Sequence, residues 1–323
     1  MAAGQGLISS RRQSRVSRDR IMSSGQGLVT SLIFVPGTVD GDPGGNAMQL
    51  GFAVRASQRL LRHPGEAIER VHGRIDTRMD KRELTRMSRP LDEHYAVVED
   101  WPPVLHSAIG APWPCAESER FDHVWDATVS GLTAAGLRVG LATYRGWNDG
   151  DRAQARAIWC LIAHLRPATV VETGVAHGLT SRVILEGLQR NGSGRLWSVD
   201  LPAIDPALHH EIGVAVPADV RSRWTYLEGT SRRQLPELVR TLRQVDIFIH
   251  DSLHTARNTY FELDTVWQAL SPGGVAMADD IHRNLGFCRF VDHARPAAWV
   301  AARHVTGDGL WGTAVKGQPQ PAA

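Results

Sequence analysis

"VVETGVAHGLTS", Val170 to Ser181, runs from two β-branched apolar residues through an acid, Glu172, to two glycines four positions apart, Gly174 and Gly178, and closes on a Thr-Ser pair. An apolar run followed by a glycine-rich turn and a helix-forming segment reads as a buried strand delivering the chain into a tight turn. In an open parallel sheet such a turn lies where ligands bind, beyond the carboxyl ends of the strands and beside the first of them. Gly174 and Gly178 allow the backbone to approach a ligand closely, and Thr180 or Ser181 can cap the helix that follows. The next strand ends in a second acid, Asp200, suited to chelating a ribose diol. A plain strand-turn-helix packed through its glycines would look the same locally. The motif therefore points toward a nucleotide or nucleoside without deciding for one.

Outward from this stretch the chain alternates between helix and strand from about Asp151, the pattern of a doubly wound parallel sheet. The helix "DRAQARAIWCLIAHL" ends at Pro167, and strand one is "TVVET". Helix "LTSRVILEGLQRN" stops at Gly192, and strand two, "RLWSV", ends at Asp200. Strands "WTYLEG", "VDIFIHD" and "GVAMADD" follow, with helices near Arg232 to Leu242 and Thr255 to Leu270. A closing pair, "AWVAARHV" and "GLWGTAVK", is joined by "TGDG", which is hairpin chemistry. The sheet is thus expected to be parallel until one of its last strands turns antiparallel.

Upstream, residues 48 to 140 read as a helical cap or dimerisation region, and residues 141 to 316 as the main domain, with a tail at 317 to 323. From Pro64, Ile68, Val71, Ile75 and Met79 recur at steps of three and four among charges, an amphipathic helix that needs a partner surface. A second helix carries Phe121, Val124, Trp125, Val129 and Leu132 on one face. "YRGWNDGD", Tyr144 to Asp151, is either a packed linker or a drape over the ligand pocket, with Tyr144 and Trp147 stacking on a sugar or aromatic ring. Residues 1 to 47 are rich in Gly, Ser and Arg and read as a disordered leader. Met22 and Met48 are alternative starts, and a transit peptide or nucleic-acid-binding arm has the same composition.

Composition excludes several functions. The formal net charge of +2 gives no global field for nucleic acid or an anionic membrane, and the apolar run Leu28 to Val35 is too short to span a bilayer. Of the 36 Lys+Arg residues, Lys81 and Lys316 are the only lysines. A Walker loop, a Tyr-x-x-x-Lys dehydrogenase site and a pyridoxal Schiff base each require a lysine that has no counterpart here. Cys115, Cys160 and Cys288 are far apart, with no C-x-x-C. They read as reduced core thiols of a cytoplasmic protein, offering neither a disulfide framework nor a zinc site.

The segment from about Asp151 to Lys316 resembles the class I S-adenosylmethionine-dependent methyltransferases. The resemblance lies in Glu-x-Gly-x-x-x-Gly after strand one ("ETGVAHG"), the acid after strand two ("VDLP"), "EGTS" after strand three, and "LSPGGVAMADD" leading through strand five. It implies a Rossmann-like sheet, with Glu172 and Gly174 near the methionine end of the cofactor and Asp200 on its ribose. Gly229, Thr230 and Ser231 would border the adenine, and Gly178, Thr180 and Ser181 would complete the turn. The glycine spacing differs from the dinucleotide fingerprint G-x-G-x-x-G, which favours a ligand with one nucleoside and no pyrophosphate to cradle.

A second constellation is "HDSLHT", His250 to Thr255. Asp251 and the pair Asp279, Asp280 are one helix and one strand apart, so they end adjacent strands on one sheet edge. Converging carboxylates need a positive partner, and a hard divalent cation such as Mg²⁺ suits an all-oxygen site. A solvated polar rim would need none. This arrangement resembles the catechol-type, metal-dependent O-methyltransferases, and "DSLHT" with the later "FEL" resembles the cephalosporin hydroxylase-like and sugar O-methyltransferase branch. Where the catechol group places a lysine base, this chain has His254, whose neutral imidazole is suited to taking a hydroxyl proton. The expectation is an O-methyltransferase acting on a small-molecule or sugar hydroxyl, with Asp251 and His254 catalytic and a homo-oligomer formed through the N-terminal helices. The alternatives are a non-catalytic S-adenosylmethionine-binding scaffold and a nicotinamide dehydrogenase.

Overall fold

The computed structural model describes residues 54–144 and 147–318, and the leader read at residues 1 to 47 lies outside them. The chain divides into two units, Met1–Ser57 and Gln58–Ala323. Of the first, only the helical residues 54–57 are described.

The second unit opens with α1 (Pro64–Arg86), α2 (Trp101–Ala108) and α3 (Ser118–Ala134), followed by a small antiparallel pair, β1 (Gly140–Tyr144) and β2 (Trp147–Asp149). The side chains of residues 140 to 149, Tyr144 and Trp147 among them, are outside the description. Then come α4 (Arg152–Leu165), β3 (Thr169–Thr173), α5 (Leu179–Asn191), β4 (Arg195–Asp200), β5 (Trp224–Glu228), α6 (Ser231–Leu242), β6 (Val245–His250), α7 (Ala256–Trp267), β7 (Leu270–Ala278), α8 (Gly286–Ala294), β8 (Ala298–Arg303) and β9 (Leu310–Val315).

Seven strands form one sheet in the order β5-β4-β3-β6-β7-β9-β8. All neighbouring pairs are parallel until β9, which runs antiparallel to both β7 and β8. This is the Rossmann-like, doubly wound sheet expected from the alternating pattern. Side chains of a strand alternate between its faces, and the core divides accordingly. Val170, Ile247, Ile249, Val275 and Met277 join the cluster under α2, α3, α4 and α5. Val171, Phe248, Ala276 and Ala278 join the cluster under α6, α7 and α8. The strand order reverses between β3 and β6, so the crevice of the switch point opens between Thr173 and His250, which are register partners.

The helical region before the sheet shares this core. Trp101 of α2 packs edge-on against Trp311 of β9 at 5.1 Å between ring centroids. Phe121, Trp125 and Leu132 of α3 are buried, with Val124 and Val129 partly buried against them. The start of α4 is fixed by Asp151. One carboxylate oxygen accepts from the Ala153 and Gln154 amides at 2.9 and 3.2 Å, and the other accepts from the Val305 amide at 2.9 Å and from Thr306. A single side chain thus caps a helix and ties it to the β8–β9 loop.

Helix α1 differs from its sequence reading. Its apolar stripe is present but faces outward, with Ile68, Ile75 and Met79 at 57%, 46% and 60% exposure. The helix docks instead through polar residues and a glycine: Glu66, Gly73 and Asp80 are its buried positions. Glu66 holds Arg59 and Arg70, Arg70 donates to Pro202 O at 2.6 Å, and Asp80 accepts from the Ala256 amide at 2.9 Å. Charge pairs and a helix-capping bond decide which side faces the sheet, because they satisfy polar groups that burial would otherwise strand.

The cysteine reading also changes. All three thiols are free, yet Cys115 and Cys160, 45 positions apart, bring their Sγ atoms to 3.4 Å.

Replacing Asp151 with Ala is expected to lower stability by about 2 kcal/mol or more, because a helix cap alone is worth about 0.5–2 kcal/mol and the loop bonds are lost with it. Urea unfolding at neutral pH measures this, and an unchanged midpoint would show that the double bond pattern contributes nothing.

Candidate active site

The turn after β3 is built by backbone contact. Gly174 has φ +85°, its amide donates to Val199 O at 2.9 Å, and a Cβ placed on it would meet the Asp251 carbonyl oxygen at 1.9 Å. Gly178, at φ +83°, would drive a Cβ into Gly213 Cα at 2.7 Å. The close approaches that these glycines allow are therefore to other parts of the chain. Gly178 is itself the N-cap of α5, without a side-chain cap. Ser181 does not cap the helix as expected. Its hydroxyl donates to Glu172, and Thr180 lies in the first turn.

Glu172 is buried in β3, opposite Ser198 in register. Its Oε1 accepts from the Ser181 and Ser198 hydroxyls, the latter at 2.6 Å, while Oε2 is buried with no partner. Burial raises its pKa to about 7 despite the two hydroxyls. Asp200, at the end of β4, is raised to about 6, first by desolvation, against the lowering influence of the Val175 amide and of Arg70 from α1. Gly229 donates its amide to Asp200 O at 2.8 Å, and Thr230 begins α6 with its hydroxyl buried and unpartnered. Ser231 reaches Asn258 at 3.4 Å.

Across the switch point, the amide of Asp251 donates to Thr173 O and that of Asp279 to His250 O, both at 2.9 Å, so the two acids leave neighbouring strands together. His254 Nε2 stands 3.6 Å from Asp251 Oδ1 and 3.9 Å from Asp280 Oδ2, beyond hydrogen-bond reach of both. Its Nδ1 is buried without a partner. Burial lowers the His254 pKa, and the charges of Asp280 and Asp279 only partly oppose this, so the ring is neutral near pH 7.

Three partners of these acids went unread in the sequence. His304, at the end of β8, bonds Asp279 at 2.8 Å, and Arg283 bonds Asp280 at 2.8 Å, with His282 at 3.8 Å from the same carboxylate. Burial works to raise Asp279, but the His304 bond outweighs it and holds the acid at about 2. Asp251, His254 and Asp279 present ligand atoms within 4.8 Å of one another, as do Asp279, Asp280 and His304. Both donor sets mix carboxylate with imidazole, where the sequence suggested oxygen alone.

Beneath this cluster lies a buried network that was also unread. Glu262 of α7 accepts from Thr173 Oγ1 at 2.5 Å, His250 Nδ1 at 2.6 Å, Ser252 Oγ at 2.7 Å and Asn258 Nδ2 at 2.8 Å. Burial would raise its pKa, but His250 and the hydroxyls bring it down to about 2. The only signal in sequence was an acid seven residues into a helix that follows an aspartate-bearing turn.

Residues 171–281, which span β3 through the acidic cluster, match the family model of a methyltransferase domain. That segment is similar to a methyltransferase domain. No curated protein sequence matches the chain. Among solved structures, the methyltransferase domain superposes on an O-methyltransferase from Bacillus cereus in complex with SAH, at TM-score 0.45 and 16% identity over 67% of this chain and 98% of that one. The O-methyltransferase TomG from Streptomyces achromogenes, in complex with SAM, gives TM-score 0.45 and 15% identity over 60% and 90% of the two chains.

Two pH effects follow from the buried acids of the methyltransferase domain. Glu262 is depressed from the ordinary 4.5 to about 2. Its contribution, on the order of 3 kcal/mol, is therefore full above pH 4.5 and is lost as pH falls toward 2. Glu262→Ala, which leaves His250 without its partner, should cost roughly 3–5 kcal/mol at pH 7 and flatten the acid limb of stability. Denaturant unfolding from pH 2 to 7 measures both.

Glu172 has the opposite sign. Its folded value of about 7 lies above the ordinary 4.5, so stability is greatest below pH 4.5 and declines as pH rises through 7. Glu172→Gln should therefore melt higher than wild type at pH 8 and at nearly the same temperature at pH 4.5. A gain of equal size at both pH values would contradict the assignment.

Proposed function

We propose that the protein is an O-methyltransferase that acts on a hydroxyl of a small molecule or sugar, assisted by a divalent cation. One observation carries the reading. The glycine turn of the cofactor edge and the acidic turn of the chemical edge touch, since the position of a Gly174 Cβ falls on the backbone oxygen of Asp251. A methyl donor held over β3 and β4 is thereby adjacent to the groups of the β6 and β7 ends.

The orphaned atoms Glu172 Oε2, Thr230 Oγ1 and His254 Nδ1 all belong to turns or strand residues of this edge and suit a polar ligand that would satisfy them. Asp200 would hold a ribose diol, and Glu172 would face the cationic methionine end. The S-adenosylmethionine sulfonium supplies an already activated methyl group, and a divalent cation supplies a lowered pKa at the acceptor hydroxyl. Asp251, Asp279 and Asp280 are the carboxylates that would hold the cation, Asp280 being bonded also by Arg283. The neutral His254 takes the acceptor proton, and Asp251 and Asp280 on either side stabilise the imidazolium that results. The chain's own contribution is then alignment, worth up to about 7–11 kcal/mol, and a positioned base, worth about 10²–10⁴-fold. Three free thiols suit a reducing compartment such as the cytoplasm.

The test separates binding from chemistry. S-adenosylmethionine should bind wild type by calorimetry, and Asp200→Ala should bind it about tenfold or more weakly through loss of a charge-assisted contact. With an acceptor found by screening hydroxylated metabolites, a chelator should abolish turnover while sparing cofactor binding. His254→Ala should keep metal and cofactor but turn over about 10²–10⁴-fold more slowly. Full activity in chelator would remove the cation from the mechanism, and loss of metal from His254→Ala would make that histidine a ligand instead of the base.

A further inference from the structure

Away from the candidate active site, toward the amino ends of the strands, four metal-binding side chains meet. We propose that His106, Cys115 and His164 hold a structural zinc ion, with Cys160, beside Cys115, turning in as the fourth donor.

Cys160 and His164 are four residues apart on α4 and so share one face of that helix. His106 lies in the last turn of α2, and Cys115 lies in the segment that leads into α3. Cys115 Sγ is 3.4 Å from His164 Nε2, and the ligand atoms of His106, Cys115 and His164 all fall within 4.8 Å of one another, while Cys160 Sγ is 3.4 Å from Cys115 Sγ but lies outside that set. Zinc bonds of about 2.3 Å to sulfur and about 2.0–2.1 Å to nitrogen, set tetrahedrally, give ligand-to-ligand edges of roughly 3.3–3.8 Å. The Cys115–His164 edge is of that length, and closing the fourth corner requires the Cys160 side chain to move toward the two imidazoles.

A second observation is independent of this spacing. His106 is 1% exposed, and its Nδ1 lies 2.7 Å from Pro102 O, a carbonyl that only accepts, so Nδ1 carries the proton. Nε2 is left with a bare lone pair, buried and without a partner. Zinc-ligating histidines are held in this way, one nitrogen donating to a carbonyl and the other directed at the metal. An unsatisfied buried nitrogen is costly unless something fills its lone pair.

Charge and softness favour zinc. Two thiolates neutralise one Zn²⁺, so the closed site is neutral overall and suits the buried position of Cys115 and Cys160. The indole of Trp113 covers His106, with ring centroids 5.0 Å apart. A disulfide is a different state, because its S–S bond is about 2.05 Å whereas both thiols here are free. Zinc at this position would clamp α2 and the loop before α3 onto α4, and so join the N-terminal helices to the methyltransferase domain. In sequence the ligands read H-x8-C, then 44 residues, then C-x3-H, a gap that conceals the set.

The test uses the full chain, purified reduced and stripped of metal, with Co²⁺ as the probe. One equivalent of Co²⁺ per chain, apart from any held by the acidic cluster, should bind with a near-ultraviolet thiolate charge-transfer band and strong tetrahedral absorption in the visible. Zn²⁺ should displace it and raise the melting temperature. Cys115→Ser and His106→Gln, checked for folding by circular dichroism, should each weaken binding about tenfold or more. Asp251→Asn, in the acidic cluster, should leave the thiolate band unchanged. Absence of that band in reduced wild type overturns the proposal whatever the variants do. So does an unchanged band in Cys115→Ser, or a reduced-buffer preparation whose intact mass shows two hydrogens lost to a Cys115–Cys160 disulfide.

Discussion

The candidate active site rests on the carboxylate of Glu262. It is fully buried, and it binds one group from each segment that must be held still: Thr173 at the end of β3, His250 at the end of β6, Ser252 in the turn, and Asn258 within α7. A buried charge is tolerated only when it is paired and its lone pairs are filled, so this acid cannot keep its place unless all four segments keep theirs. The turn that carries Asp251 and His254 is thereby fixed from below. From above, Asp80 of α1 caps the start of α7 through the Ala256 amide, beside the cap supplied by Thr255. A turn gripped on both sides can hold its functional groups in one geometry, which is what alignment in a group-transfer reaction requires.

The contact between Gly174 and Asp251 makes the two halves of the site a single object. Because the Gly174 Cβ position coincides with a backbone oxygen, any side chain there would force the ends of β3 and β6 apart. Glycine is retained at this point for strand-to-strand approach, and the proximity of donor and acceptor edges follows from it. Helix α1 then shapes the outer wall. Arg59, just before it, reaches Glu228 at the end of β5, its Arg70 reaches Pro202 after β4, and its Gly73 lies against Leu253 in the acidic turn. It crosses the carboxyl edge over the strands that carry Asp200 and Asp251.

Much of this was legible in sequence because it depends on local pattern. The strand ends, the order of elements and the antiparallel last strand follow from periodicity and turn chemistry, and Asp251, Asp279 and Asp280 follow from strand counting. What was hidden depends on long-range partnership. Nothing near His304 announces a bond to Asp279, 25 residues earlier, and nothing near Cys115 announces Cys160. Helix α1 shows the complementary failure. Hydrophobic periodicity predicts which face an isolated helix would bury, but Glu66 binds Arg59 and Arg70, Gly73 lies against Leu253 and Asp80 caps Ala256, and those partners outrank the apolar stripe.

The acidic cluster is an exercise in charge balance. Asp251, Asp279 and Asp280 bring three negative charges to one edge, and the chain supplies Arg283 as a permanent cation on Asp280 and His304 as a proton-bearing partner on Asp279. His254, between Asp251 and Asp280, is kept neutral by burial. Asp279 and Asp280 are thus compensated by fixed partners, and their charges only partly oppose the burial that keeps His254 neutral. The carboxylates around His254 offset part of the cost of placing a proton there without reversing it, so the cluster favours a base that is neutral at rest and whose imidazolium is partly stabilised. That preference belongs to the arrangement of the whole edge, since removing either fixed cation would return its carboxylate to competition for the same proton and blunt the base.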